Sequence, residues 1–311
     1  MRVRAGAVAV AAACVLAVGG VGFLVATRGD HGSIIRVGVG PRGAAVVDGA
    51  VWIANAESNT VSRLDERTRK VTATVKAGTA PFGVAVLDDA VWVANARSNT
   101  VSRIDPGTHR VAATIHLGRH GGQPAAVAAG DGAVWVTGVD AGYLSRIDPG
   151  TNAVTAEIAL GAIPNRVAVG AGAVWVAFGK ANKVIRIDGG TNAITAEIPL
   201  EGAPDGVAVD DGAVWVANAG ADRVSRIDPT TNAPVATIKV GDTPHAVAVG
   251  AGAVWVANVR DSTVSRIDPT SNRVTATFAV GANPGAIAVG DAAVWVTNET
   301  EGSVSRLRPR A

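Results

Sequence analysis

His245 directly follows Pro244, and Asp205 directly follows Pro204 forty residues earlier. A histidine with a carboxylate to orient it is the smallest unit that can serve as a general base, because imidazole titrates near neutrality and the carboxylate fixes its tautomer. The residue after the corresponding proline elsewhere in the chain is Arg42, Phe82, Ala125, Asn165 or Gly285, so seven equivalent places carry seven residue types. Places that every copy shares serve the scaffold; places where the copies differ are available for a site. Asn165, Arg166, Asp205 and His245 fall in consecutive copies and are expected to form a polar arc, with Arg42 across from it and Phe82 as an apolar wall. These six residues form the candidate ligand site. A second variable set (Glu57, Arg97, Asp140, Lys180, Arg260 and Glu299) is expected to open on the same face.

Other chemistries find less support. Asp205 has no second carboxylate in an equivalent place, so paired-carboxylate acid–base work is not expected. His116 and His120 are close in sequence but have no acidic neighbour to complete a metal site. The single cysteine, Cys14, sits in an apolar head, which leaves no disulfide framework and no thiolate metal site. The formal net charge is +2, and no Lys/Arg run is interleaved with aromatics, which argues against a nucleic-acid groove. Neither a cofactor nor a resident metal is expected from the residues alone.

The elements that must position the arc follow from the tryptophans. Trp52, Trp92, Trp135, Trp175, Trp215, Trp255 and Trp295 are separated by 40 residues, or by 43 in one interval. A period in the forties with short strands indicates a β-propeller, one four-stranded blade per repeat. One unit reads as an inner strand at Gly206–Val209, a hairpin turn at Asp211-Gly212, a second strand at Ala213–Asn218, a third at Arg223–Asp228 and an outer strand at Pro234–Ile238. The seventh copy stops after its third strand. Ser33–Gly38 matches the missing outer strand and is expected to complete that blade and close the ring. The expected fold class is therefore all-β, a seven-bladed propeller over residues 33–311. Each third strand also keeps an arginine, followed two residues later by aspartate in six copies, which reads as an ion-pair lattice with an aspartate capping the turn.

Residues 1–32 read differently. Arg2 and Arg4 precede an uncharged stretch from Ala5 to Thr27, which as a helix of about 35 Å would cross a bilayer of about 30 Å. The expectation is a signal-anchor with the propeller outside the cytoplasm; secretion after cleavage is the alternative.

The repeats resemble the YVTN family of β-propellers. Val294-Trp295-Val296-Thr297-Asn298 stands where that family carries its name-giving tetrapeptide, and Asn99–Asp105 and Thr237–Pro244 match the rest of its repeat. The resemblance spans residues 33–311 and implies an extracytoplasmic propeller that binds or scaffolds. The chain is also similar to the streptogramin lyase group, in which the aromatic strand typically ends in glutamate and a histidine works with metal-binding glutamates. The matching places here are Asn55, Asn95, Gly138, Phe178, Asn218, Asn258 and Asn298, none of them acidic. Three readings stay open at this point. One is a monomeric, non-enzymatic propeller that holds a protein, a cell-wall polymer or a small molecule at its channel mouth. The second is a lyase-like enzyme using His245 and Asp205 with a divalent metal, and the third is a purely structural propeller.

Overall fold

The computed structural model describes residues 34–118, 122–210 and 212–309. The expected anchor at residues 1–32 lies outside the described residues, as do Ser33, Asp211 and the insertion at Arg119-His120-Gly121. Among the described residues no helix is long and apolar enough to cross a membrane.

Seven antiparallel four-stranded sheets form the blades of a propeller. Six are built from consecutive strands, which span residues 41–76, 81–116, 124–159, 167–199, 204–239 and 244–279. The seventh combines Pro284–Val289, Val294–Asn298 and Ser303–Leu307 with Ile34–Arg36 as its outermost strand. In that pairing Ile34 faces Ser305 and Arg36 faces Ser303. The fifth blade follows the sequence reading closely, with strands Pro204–Val209, Val214–Asn218, Arg223–Asp228 and Ala233–Lys239.

Hydrophobic burial explains the period. Each second strand is buried along its whole length because both of its faces are covered by neighbouring blades. Its tryptophan is at most 1 % exposed and packs against the next blade; Trp52, for example, meets Val84, Val91, Val93 and Ile104. Fully burying such aromatic rings makes the inter-blade seams the principal hydrophobic core. The innermost strands crowd the axis, and small residues relieve it. A Cβ at Gly206 would lie 2.5 Å from the carbonyl oxygen of His245, so only glycine lets these two strands approach.

The aspartates of the third strands cap their turns as expected. Asp148 accepts hydrogen bonds from the Thr151 amide at 2.8 Å and its hydroxyl at 3.0 Å. These bonds hold the carboxyl below its usual range. The expected Arg–Asp lattice is corrected. Arg63 donates to Thr72 Oγ1 at 2.7 Å, and in blades two to seven the arginine lies over the ring of its cross-strand tryptophan instead, at 5.2 Å for Arg226 on Trp215 and 5.5 Å for Arg103 on Trp92. It also bridges blades: Arg226 donates to the Pro269 carbonyl and to Asn272 Oδ1 in the next blade's turn, at 3.0 and 3.1 Å.

Candidate functional site at the channel mouth

Loops that enter the innermost strands open on one face around the axis. In most blades the register slips by one residue just after the entering proline. In blade five, Pro204 pairs with Asn218 but Val207 pairs with Val216; in blade six, Pro244 pairs with Asn258 but Ala246 with Ala257. Such a bulge leaves a residue outside the ladder and re-aims its side chain. That residue is the variable one, and here the bulge turns Asp205 and His245 toward the mouth.

The polar arc forms a connected network. His245 Nε2 lies 3.0 Å from Asp205 Oδ2. Asn165 Nδ2 donates to Asp205 Oδ1 at 3.1 Å, and the Gly179 amide donates to Asn165 Oδ1 at 3.2 Å. Arg166 Nη2 lies 3.2 Å from His245 Nδ1, and the Gly285 carbonyl oxygen lies 3.3 Å from the same nitrogen. A guanidinium only donates and a carboxylate only accepts. The neutral ring that satisfies both therefore carries its proton on Nε2, toward Asp205, and presents the Nδ1 lone pair to Arg166.

Burial pushes the His245 pKa below its ordinary value. The Arg166 guanidinium pushes it the same way, as does Arg42 more weakly, while Asp205 and the Gly285 carbonyl oppose them. A depressed histidine pKa has a definite sign in stability. Above the unfolded value of about 6.5 the group contributes no pH dependence; below it the unfolded chain takes up a proton that the native ring resists, so stability falls with falling pH until the native pKa is reached. Melting temperatures from about pH 8 to about pH 5 should therefore drop more steeply for the parent than for His245→Gln. Parallel curves would show that the ring is not held neutral.

Arg166 owes its place to a local departure. Its counterparts two residues after the proline are Gly43, Gly83, Ala126, Gly206, Ala246 and Ala286. In blade four the strand end is Phe178, and the inner strand begins only at Val167. The entering segment is held instead by Asn165 N–H to Ala177 O and Ala177 N–H to Arg166 O, at 2.8 and 2.9 Å. The one long side chain in that ring thus reaches His245 two blades away.

Arg42 and Phe82 form the opposite wall. The Arg42 guanidinium stacks 4.9 Å from the Phe82 ring centroid and pairs with Glu299 at 3.2 Å. Glu299 also accepts from Asn283 Nδ2 at 3.2 Å. Burial raises its pKa, opposed by Arg42 and Arg166. The sequence reading placed Glu299 only among variable loop residues. The signal that finds it is Gly285, because a Cβ there would lie 2.3 Å from Glu299 Oε1, so the carboxylate fills the space of the missing side chain. Beside the arc lies a cavity of about 340 Å³. Phe82, Val139, Ile163 and Pro164 supply its apolar side, and Asn165, Arg166, Asp205 and His245 its polar side. Gln123, Val139 and Ile163 were not anticipated; Gln123 and Ile163 stand immediately before the entering prolines Pro124 and Pro164, and Val139 immediately after the second strand of blade three.

The chain is thus a seven-bladed propeller with one polar, half-buried cluster at an apolar-walled mouth. It belongs to the virginiamycin B lyase family, whose profile matches residues 30–307. Among solved structures it is similar to selenomethionine-substituted virginiamycin B lyase from Staphylococcus aureus, with 20 % identity and a TM-score of 0.77 over 89 % of this chain and 99 % of that one. A catalytically inactive variant of that enzyme with quinupristin gives 20 % identity and 0.78 over the same shares. Kuenenia stuttgartiensis hydrazine synthase gives 16 % identity and 0.77, over 92 % of this chain and 99 % of that one. At these identities the structural likeness shows the fold. No curated protein sequence matches the chain.

The donor set does not fit the divalent metal that the streptogramin lyase resemblance implies. Asn55, Asn95, Asn218, Asn258 and Asn298 are buried, and their amides donate inward to hydroxyls of their own blades, as Asn258 Nδ2 does to Ser265 Oγ at 2.9 Å. Asp205 and Glu299 are each held by a cationic or amide partner. Among the described residues no three of His, Cys, Asp or Glu converge on one point. The asparagines are structural. Asn95 Nδ2 donates to Thr100 Oγ1 and Ser102 Oγ at 3.1 and 2.9 Å, while its Oδ1 accepts from the Gly78 amide at 3.1 Å. Asn95→Ala should cost about 1–3 kcal/mol by leaving these buried groups unpaired. The check is a lower denaturant midpoint at unchanged slope.

Proposed function

We propose that the protein is a lyase-type enzyme that opens an ester-containing cyclic compound at the channel mouth, with His245 Nδ1 as the base. The observation that carries this reading is the His245 ring, which lies 3.0 Å from Asp205 and 3.2 Å from Arg166 at the edge of an apolar-walled cavity. Membership of the virginiamycin B lyase family favours it over a non-enzymatic scaffold, for which no specific observation speaks.

The chemistry can be written with this chain's own residues. A carbonyl oxygen of the substrate draws the Arg166 guanidinium away from Nδ1 and exposes its lone pair. Nδ1 then removes the proton from the carbon next to that carbonyl. The electron pair becomes a carbon–carbon double bond as the neighbouring C–O bond breaks, and the ester oxygen leaves as a carboxylate that needs no acid. The proton on Nδ1 finds the Gly285 carbonyl oxygen as its acceptor, while Nε2–H stays on Asp205. Arg166 and Arg42 offset the negative charge that develops, in a site partly shielded from water. No step passes through a metal, because among the described residues the donors for one do not converge.

The substrate class follows from the relative, whose variant is solved with quinupristin. The test is to incubate the full chain with quinupristin in the presence of a chelator and follow ring opening by chromatography. Ring opening that survives chelation supports the reading. Tight binding with no turnover would return the chain to a binding protein, and activity that the chelator removes would overturn the metal-free step.

We also propose that residues 1–32 anchor a monomeric propeller outside the cytoplasm, and that Ile34–Arg36 closes the ring of a domain spanning residues 33–311. The uncharged 23-residue stretch after Arg2 and Arg4 supports the first proposal, and the pairing with Ser303–Leu307 supports the second.

A further inference from the structure

The channel beneath the mouth carries one cation that the scaffold does not ask for. The seven innermost strands surround an axial cavity of about 130 Å³, and residues from every blade line it. Arg166 is the only lining residue with a polar side chain; the rest are glycine, alanine, valine or isoleucine. Its counterparts in the other six blades are glycine or alanine, so the ring closes without a long side chain at this place. Arg166 and Ala126 line both this channel and the mouth cavity, which puts Arg166 at the junction of the two.

The Arg166 charge has no counter-charge in contact. The residue is half-buried. Among the described residues its guanidinium has one hydrogen-bonding partner, His245 Nδ1 at 3.2 Å. An imidazole supplies no negative charge in either of its protonation states. The carboxylates Asp205 and Glu299 are engaged elsewhere. Asp205 is held by the other nitrogen of the same ring at 3.0 Å and by Asn165 at 3.1 Å. Glu299 pairs with Arg42 at 3.2 Å and accepts from Asn283 at 3.2 Å. A cation drawn out of water is stabilised by an opposite charge beside it, and here the fold leaves room for one on the channel side.

We infer that the axial channel binds a small, weakly hydrated monovalent anion, of the halide or nitrate class, on Arg166. The channel is too narrow for a bulky anion, and walls of small apolar side chains select against ions that hold their water tightly. A guanidinium is itself weakly hydrated and offers several N–H donors. Each innermost strand is an edge strand, paired on one side only, and strand edges offer backbone amides to anions. The charged groups that act on the His245 ring are Arg166, Asp205 and Arg42, the two arginines against the aspartate. An anion on Arg166 offsets one of those arginines, leaves Asp205 less opposed and makes the ring more basic. The channel thereby tunes the mouth. The site does not depend on the mouth being a lyase, because it is read by binding alone.

The test follows the His245 ring by nuclear magnetic resonance in the full chain in neutral detergent, its signal being the one absent from His245→Gln. The ring is titrated with pH in nitrate, chloride and gluconate at one ionic strength, gluconate being too large for the channel. Its midpoint is expected to lie higher in nitrate and chloride than in gluconate, and the rise should saturate with anion concentration. Arg166→Met keeps the length of the side chain and removes its charge. It should weaken the apparent anion affinity about tenfold or more, the worth of one lost charge-assisted contact. One midpoint in all three salts overturns the site on the parent protein alone, and a saturating rise that Arg166→Met retains in full overturns it as well. Quinupristin takes no part in either measurement, so failure of the lyase reading leaves this result standing.

Discussion

Replacing His245 with alanine is expected to lower ring opening of quinupristin by about two to four orders of magnitude, the usual contribution of a positioned general base. The loss should fall on kcat rather than KM, because the cavity walls of Phe82, Val139 and Ile163 remain in place. Asp205→Asn should cost less: the amide oxygen still accepts from Nε2–H, but the charge that favours the protonated ring is gone. Arg166→Met should raise KM and lower kcat together, since Arg166 both receives the substrate carbonyl and offsets the developing charge. The pH profile supplies a sign that a merely structural histidine would not. Because burial, Arg166 and Arg42 depress the His245 pKa, the acid limb of kcat/KM should lie below about pH 6.5. An acid limb above that value would mean that the base is another group.

The second large effect concerns the scaffold. Deleting residues 33–38 removes the strand Ile34–Arg36 and the bond from the Val37 amide to the Gly302 carbonyl at 3.0 Å. It also uncovers a cluster in which Ile35 and Val37 pack on Ile53, Leu64, Trp295 and Val304. Two partly buried side chains and a short ladder, set against the ordering entropy the shorter chain no longer loses, leave a net cost of about 2–4 kcal/mol. For a propeller of this size that is a fall in melting temperature of roughly 5–10 °C. The exposed edge at Ser303–Leu307 should also promote association between copies. A shortened chain that melts with the parent would show that blade seven stands with three strands.

Much of this was legible in the sequence because a repeat carries its own comparison. Seven tryptophans at a nearly fixed period define seven blades, and the shared Trp, Arg and Asp of each copy mark the scaffold. The variable residue after each proline marks the mouth, and the structure gathers Asn165, Arg166, Asp205 and His245 there as one network. The geometry also joins Arg42 to Phe82. Two things were not legible. The contact between Arg166 and His245 spans two blades and depends on how far a side chain reaches across the axis, which spacing along the chain does not encode. The role of the third-strand arginine depended on whether its nearest partner was a carboxylate along its own strand or an indole across the sheet, and the cross-strand register put the indole beneath it.

The central claim is that the mouth breaks an ester by elimination, with no water consumed. The most direct test is the mass of the product formed from quinupristin by the full chain in oxygen-labelled water. An elimination inside a ring opens it without changing the mass and leaves no label, and that product is predicted, absent in His245→Ala. A product heavier by one labelled water would make the protein a hydrolase and contradict the account.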